Sequence, residues 1–329
     1  MEIFNPNSNI DFLRLRTISI AISIILVIVS VGAILTRGLN YGLDFTGGVL
    51  IEAEYQNPIE ISDVRAALAA AGHEDAQVVQ VGGTHNVSIR LQAKEEANKQ
   101  DANAPGVTTS TSGTSQGDRI TADVFKALKA KRDDVTVKPA DFVGPQVGAE
   151  LKSDGVVAVI FVIIGIMIYI GIRFEWRFAI AAIASEFHDT LITVGFYALT
   201  QREFDITVLA SVLAVVGYSI NDKVVVFDRV RELFRSSRKA EPVDVLNKAI
   251  NSTLSRTIIT ALFTAITMVA LYFFGGPVVH GFALTMIIGI VIGTLSSIFF
   301  ANPILLWLGV SKKDLMPTMR DDSALARRP

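Results

Sequence analysis

The sequence contains no cysteine. That excludes disulfides, thiolate metal sites and cysteine nucleophiles. Histidine is scarce, and His73, His85, His188 and His280 are scattered without ligand-like spacing. No G-x-S-x-G segment occurs, so ordinary hydrolase or redox chemistry finds no support. Charged residues make up only 19% of the chain and the net charge is -2, which gives no reason to expect a nucleic-acid partner. No short tandem repeat is present.

What the chain has in abundance is apolar side chains. Half of its 329 residues are hydrophobic, and the mean hydropathy is +0.45. Soluble domains seldom combine that length with that hydropathy, so the composition points to an integral membrane protein. A spanning helix needs about 20 mostly apolar residues. Six runs qualify, at 17–36, 155–173, 178–200, 205–227, 257–274 and 281–308. The first follows Arg14 and Arg16 as a signal peptide would. Its apolar run is too long for a typical signal, and no convincing small-x-small site follows, so it is read as retained.

Orientation follows from Lys and Arg. The N-terminal arm 1–16 carries Arg14 and Arg16, the turn carries Arg173 and Arg177, and the connection after the fourth run and the tail 311–329 are rich in Lys and Arg, whereas the two short loops opposite hold only Arg202. Both termini are therefore expected in the cytoplasm, with residues 37–150 on the periplasmic side. From residue 38 to 150 there are 16 acidic and 10 basic residues, a net charge of -6 on the exported part.

That part reads as alternating strands and helices. "VLIEAEY" alternates at period two, "ISDVRAALAAAG" has Ser62 as a candidate N-cap and Gly72 as a C-cap, and "AQVVQVGG" and "HNVSIRLQ" form a strand pair. "RITADVFKALKA" is an amphipathic helix and "DVTVKPADFV" a final strand. The order βαββαβ suggests a ferredoxin-like α+β fold. Residues 94–118 are polar and nearly devoid of apolar side chains, and are expected to form a mobile insert. The expected whole is a polytopic α-helical membrane protein: span 17–36, the exported lobe, then a five-helix membrane domain over 151–310.

Charges inside spans usually face a bundle interior and pair. Run three carries Glu186, His188 and Asp189. Run four carries Ser219, Asn221, Asp222 and Lys223. Run five opens with Arg256, Thr257 and Thr260. Counted from the outer helix ends, Asp222 and Arg256 differ in depth by roughly 3 Å, so an ion pair between them is expected, with Asp189 roughly 8 Å nearer the outside. Two other readings stay open. Asp222 and Arg256 reach the cytoplasmic interface instead, or His188 is a buried packing residue. Glu186 is read as equally at home at the interface, and Lys223 as snorkelling. Gly289 and Gly293 form a G-x-x-x-G expected to serve helix packing. "GLDFTGG" lacks the Lys-Ser/Thr of a P-loop and precedes a strand. Its Asp44, Gly47 and Gly48, with Gly144, Pro145 and Gly148 of "VGPQVGAEL", are read as hinges where the chain leaves and re-enters the membrane base.

Taken together, "GLDFTGG", "VGPQVGAEL", "EFHDTLITVGFY", "GYSINDKVVVFDRVRE" and "STLSRTIITALFT" resemble the SecF family of bacterial protein export, in the family's order and spacing. The insert 94–118 is not a family feature. SecF proteins belong to a wider group of proton-driven transporters of resistance–nodulation–division type, built from two six-span halves. The resemblance implies a single such half in the inner membrane, working with a complementary SecD half, the SecYEG channel and YajC. It implies use of the proton-motive force to draw preproteins outward, with the proton as coupling ion and no other cofactor. It places Asp222 and Arg256 in the proton pathway and extends to His188 and Asp189, with Asn221, Ser219 and Thr260 in support. Two rival expectations are an exporter half for small molecules or lipids, and a passive scaffold for the channel.

Overall fold

The computed structural model describes residues 9–81, 83–91, 112–138, 140–236 and 241–311. The chain divides into two compact units, residues 41–158 and residues 1–40 joined by 159–329. Each is built around its own core.

In the first unit, strand β1 (Gly48–Tyr55) is central. Its alternate residues Val49, Ile51, Ala53 and Tyr55 are all buried, as a period-two strand with one covered face requires. They pack on Val64 and Leu68 of helix Ile61–Ala70 and on Val124 and Leu128 of helix Ser112–Lys131. Each of those pairs is spaced i, i+4, which places both members on one helical face. Strands β2 (Gln77–Gln80) and β3 (Asn86–Leu91) form the expected pair, and β3 runs antiparallel to β1 with Ile51 opposite Ile89. The predicted single last strand is two, β4 (Val135–Val137) and β5 (Asp141–Val143), both antiparallel to β1. The sequence places Pro139 between them, and proline has no N–H to give to a ladder. The sheet order is β2-β3-β1-β4, with β5 also on β1.

Two local expectations need correction. Ser62 is not the N-cap. The helix begins one residue earlier at Ile61, and the Ser62 hydroxyl donates to Glu60 Oε2 at 3.3 Å. Gly72 does end the helix: it adopts φ +86°, with Gly72 N–H bonded to Ala69 O and His73 N–H to Leu68 O, the paired closure of a left-handed helix end. The insert expected over 94–118 is helical from Ser112 onward. Its part from 94 to 111, like residues 1–8 of the arm and 312–329 of the tail, lies outside the described residues.

The second unit is helical. Its elements are α1 (Arg16–Arg37), the later part of α2 (Pro145–Arg173), α3 (Trp176–Thr200), α4 (Ile206–Ser236), α5 (Pro242–Phe274), α6 (Pro277–Ser296), a π-helical turn (Ser297–Ala301) and α7 (Asn302–Trp307). Five stretches among the described residues are long and apolar enough to cross a membrane: Phe12–Arg37, Pro145–Arg173, Ile206–Ser236, Pro242–Phe274 and Pro277–Trp307. Helix α3 carries Glu186, His188 and Asp189 and falls outside that set. Helices α4 and α5 run beyond the expected spans 205–227 and 257–274, because charged residues past the apolar runs continue the same helices.

Contacts at the helix ends fix the unit. Arg173 pairs with Asp228 at 2.7 Å and Arg231 with Glu175 at 3.1 Å, tying the α2–α3 turn to α4. Asn247 and Asn251 of α5 hold the N-terminal arm: Leu13 N–H donates to Asn247 Oδ1 at 3.1 Å, and Ile10 N–H to Asn251 Oδ1 at 3.0 Å. The break between α6 and α7 has a physical cause. Pro303 gives no N–H to the carbonyl four residues back, which is that of Phe299. The Ser19 hydroxyl of α1 donates to Phe299 O instead, at 2.8 Å.

Candidate functional site

Helix α3 puts Ser185, Glu186, His188 and Asp189 inside the bundle, all less than 9% exposed. Helix α4 faces it with Ser219 and Lys223, spaced i, i+4 and both 0% exposed. Helix α6 adds Ser296. The Lys223 ammonium donates to Glu186 Oε2, to Asp189 Oδ2 and to Ser219 Oγ, at 2.8, 2.8 and 2.9 Å. Asp189 Oδ2 also accepts from the hydroxyls of Ser219 and Ser296, each at 2.6 Å. Its other oxygen lies 2.8 Å from His188 Nδ1. Four donors converge on one carboxylate.

Glycine makes this convergence possible. A Cβ on Gly293 would lie 2.8 Å from Ser219 Oγ, and one on Gly289 would overlap the Val215 side chain. The G-x-x-x-G face therefore lets α6 approach α4 closely, which brings Ser296 to Asp189. On the other flank, a Cβ on Gly195 would collide with Ser30 of α1. The packing role expected for Gly289 and Gly293 is what they perform.

Asp189, His188 and Ser219 are thus brought together, but the expected Asp222–Arg256 ion pair is not formed. Asp222 is 4% exposed, and its Oδ2 has no hydrogen-bond partner among the described residues. Arg256 is exposed. Neighbours on a helix project about 100° apart. Thr257, 2% exposed, takes the inner face of α5 and leaves Arg256 to the side. Asn221 is exposed, and the Thr260 hydroxyl bonds back to the carbonyls of Arg256 and Thr257 in its own helix. Rotation about the axis of α5 turns Arg256 outward.

Lys223 and Glu186 correct the reading most. Lys223 does not snorkel, and Glu186 is not interfacial: they are an ion pair buried in the bundle, and Lys223 makes a second pair with Asp189. The signal for them was spacing. Glu186 and Asp189 are i, i+3, and Ser219 and Lys223 are i, i+4, so each helix offers polar atoms on one face. Isolated buried charges are costly, whereas paired and hydrogen-bonded ones are tolerated.

In the other unit, the residues read as hinges interlock. Asp44 sits in the first turn of the short helix Leu43–Thr46. Gly47 has φ +69°, and a Cβ there would lie 2.8 Å from Pro145 Cα. A Cβ on Gly148 would lie 2.9 Å from Gly47 N, and one on Gly48 would collide with the Leu91 carbonyl. Gly144 has open space around it, and its carbonyl accepts from Gly148 N–H. Gly48 stands opposite Val143 in the sheet. The two turns form a tight backbone-to-backbone junction.

Comparison with known proteins agrees with these features. Residues 123–311 match the family described as protein export membrane protein SecD/SecF, C-terminal, and residues 32–59 match the SecD/SecF GG motif. The chain is 41% identical to the protein translocase subunit SecF of Pseudomonas aeruginosa, over 95% of its own length and 96% of that protein's. It is 38% identical to the SecF of Escherichia coli O157:H7, over 93% and 90%. The crystal structure of SecDF, a translocon-associated membrane protein from Thermus thermophilus, is similar with a TM-score of 0.78 at 30% identity. That similarity covers 93% of this chain but 39% of the SecDF chain.

Proposed function

Because the chain belongs to the SecD/SecF family of protein export membrane proteins, we propose that it is the SecF-type half of a proton-driven preprotein export engine. In this reading six helices span the inner membrane, α3 included, and both termini lie in the cytoplasm. The α+β unit is a periplasmic lobe with ferredoxin-like topology, a reading supported by its strand order. A complementary SecD half supplies the other six spans. The pair attaches to the SecYEG channel with YajC and draws preprotein outward after an ATP-driven motor has begun the transfer.

The observation that carries this reading is a set of acid and base groups buried in the centre of an apolar helical unit. Ionisable groups within membrane spans are rare and mark ion or proton paths, voltage sensors or ligand counter-ions. Asp222 fits such a path, since it is a buried carboxyl with one oxygen that has no hydrogen-bond partner among the described residues. Arg256, on the adjoining helix, is the cation that a changed packing of α4 against α5 would bring to it. Movement is passed to the lobe through the interlocked turns at Gly47–Gly48 and Pro145–Gly148.

Magnitude limits the mechanism. One charge crossing the membrane is worth about 2.3 kcal/mol per 100 mV, whereas reversing a two-state equilibrium from 1:99 to 99:1 takes about 5.5 kcal/mol. A full stroke therefore draws on a pH gradient as well, or on one proton in each half. The test is Asp222→Asn in vesicles, with completion of export followed after the ATP-driven motor is exhausted. The expected result is loss of proton-driven completion. Undiminished completion would leave only a passive scaffold.

A further inference from the structure

The ion network around Asp189 has a geometry of its own. Its contacts form an unbroken line. Glu186 Oε2 to Lys223 Nζ, Lys223 Nζ to Asp189 Oδ2, and Asp189 Oδ1 to His188 Nδ1 are each 2.8 Å. An unpaired atom stands at each end: Glu186 Oε1 and His188 Nε2 are buried without a hydrogen-bond partner among the described residues. The two end residues open onto different cavities. His188 lines one of about 300 Å³, shared with Ser19, Ser23, Ser296 and Phe300. Glu186 lines another of about 230 Å³ between α2 and α3, with Thr190 beside it. The first offers four polar side chains, enough to hold water.

Charge counting gives the line a chemical purpose. Glu186 and Asp189 carry two negative charges against the single positive charge of Lys223. The other elements packed around them add no ion at this point. Helix α1 contributes Ser19, Ser23 and Ser30, helix α6 contributes Ser296, and the later part of α2 has no charged residue before Arg173. On α4, Asp222 lies on the next face, and Arg256 of α5 is exposed. The network thus has an excess of one negative charge in surroundings that disfavour it, and one bound proton neutralises it.

We propose that Glu186, Lys223, Asp189 and His188 form a proton relay through the helical unit, with Glu186 as its proton-carrying end. A proton taken up at His188 Nε2 allows the Nδ1 proton to pass to Asp189. The Lys223 ammonium gives one proton to Glu186 and regains one from Asp189, whose carboxyl must turn the proton from Oδ1, beside His188, to Oδ2, beside Lys223. The proton on Glu186 leaves towards the second cavity and every group returns to its starting charge; His188 is then the Nε2–H tautomer, and shifting that proton back to Nδ1 resets the relay. This rests on the proton-driven reading above and names a second line of groups for it, apart from Asp222 and Arg256.

The test uses the full chain with its complementary half, the export channel and the ATP-driven motor in lipid vesicles. Infrared difference spectra across a pH step report the C=O stretch of a protonated carboxylic acid. In Glu186→Gln, which keeps the size and an oxygen acceptor for Lys223, that band disappears, proton-driven export falls at least tenfold and its pH dependence flattens. Glu186→Asp restores part of both. An unchanged band in Glu186→Gln overturns the relay. Full export in Glu186→Gln alongside failed export in Asp222→Asn also overturns it, and leaves the proton-driven reading standing. Full export in both variants removes that reading itself.

Discussion

Lys223 Nζ lies 2.8 Å from Asp189 Oδ2, with neither side chain open to solvent. Removing one partner of a buried pair leaves an uncompensated charge and costs about 3–5 kcal/mol. Lys223→Met strands two carboxylates and is expected to lower stability by that order in detergent unfolding. Adding Glu186→Gln removes one of the stranded charges and should recover part of the loss. Wild-type stability in Lys223→Met would show that the pair contributes nothing.

Close approach of α6 to α4 depends on Gly289 and Gly293. Gly289→Val would force its side chain into Val215. Overpacking of this kind costs about 1–3 kcal/mol, and here it also draws Ser296 away from Asp189. The expected result is a lower melting temperature together with weaker proton-driven export. Gly165→Ala is the control, because nothing lies within 4 Å of a Cβ there.

The junction of the two turns predicts a contrast between neighbouring glycines. Gly148→Ala meets Gly47 N at 2.9 Å, while Gly144→Ala meets nothing within 4 Å. Hydrogen exchange of β1 should accelerate in Gly148→Ala and stay near wild type in Gly144→Ala. Equal effects would mean that the interlock does not hold β1 in place.

In the α+β unit, the hydrogen bond from Arg132 holds the Asp134 carboxyl at about 2, below its ordinary 3.8. Asp134 is in turn bonded by Asn57 through both its N–H and its side-chain amide. A depressed carboxyl stabilises the fold above its unfolded value, and that contribution fades as pH falls through its folded value. Exchange at Gln56 and Asn57 should therefore rise as pH drops from about 4 towards about 2, and Asp134→Asn should flatten that rise. At the alkaline end, burial pushes the Tyr55 hydroxyl up to about 12. The stability it confers is present below its unfolded value near 10 and is lost as pH passes about 12.

Periodicity and capping residues made the outline legible. Val49, Ile51, Ala53 and Tyr55 alternate, Val64 and Leu68 repeat at helical spacing, and each expected span is largely helical, the last one broken by the π-helical turn at Ser297–Ala301. Rotation about a helix axis was not legible. Whether Asp222 or Lys223 meets the neighbouring charge depends on which face of α4 turns towards α3, and tertiary packing decides that. The small residues Gly289, Gly293 and Ser296 settle the question, and their bearing on Asp189 appears only once α6 is laid against α4. The split of the last strand is legible in Pro139.

Proton movement through the buried groups is the point on which the functional account turns. It is tested most directly by proton flux in vesicles that hold the chain with its complementary half and an internal pH indicator, under an imposed membrane potential. The account predicts a voltage-driven flux in the wild type that falls at least tenfold in Asp222→Asn. Equal flux in the two proteins would contradict it.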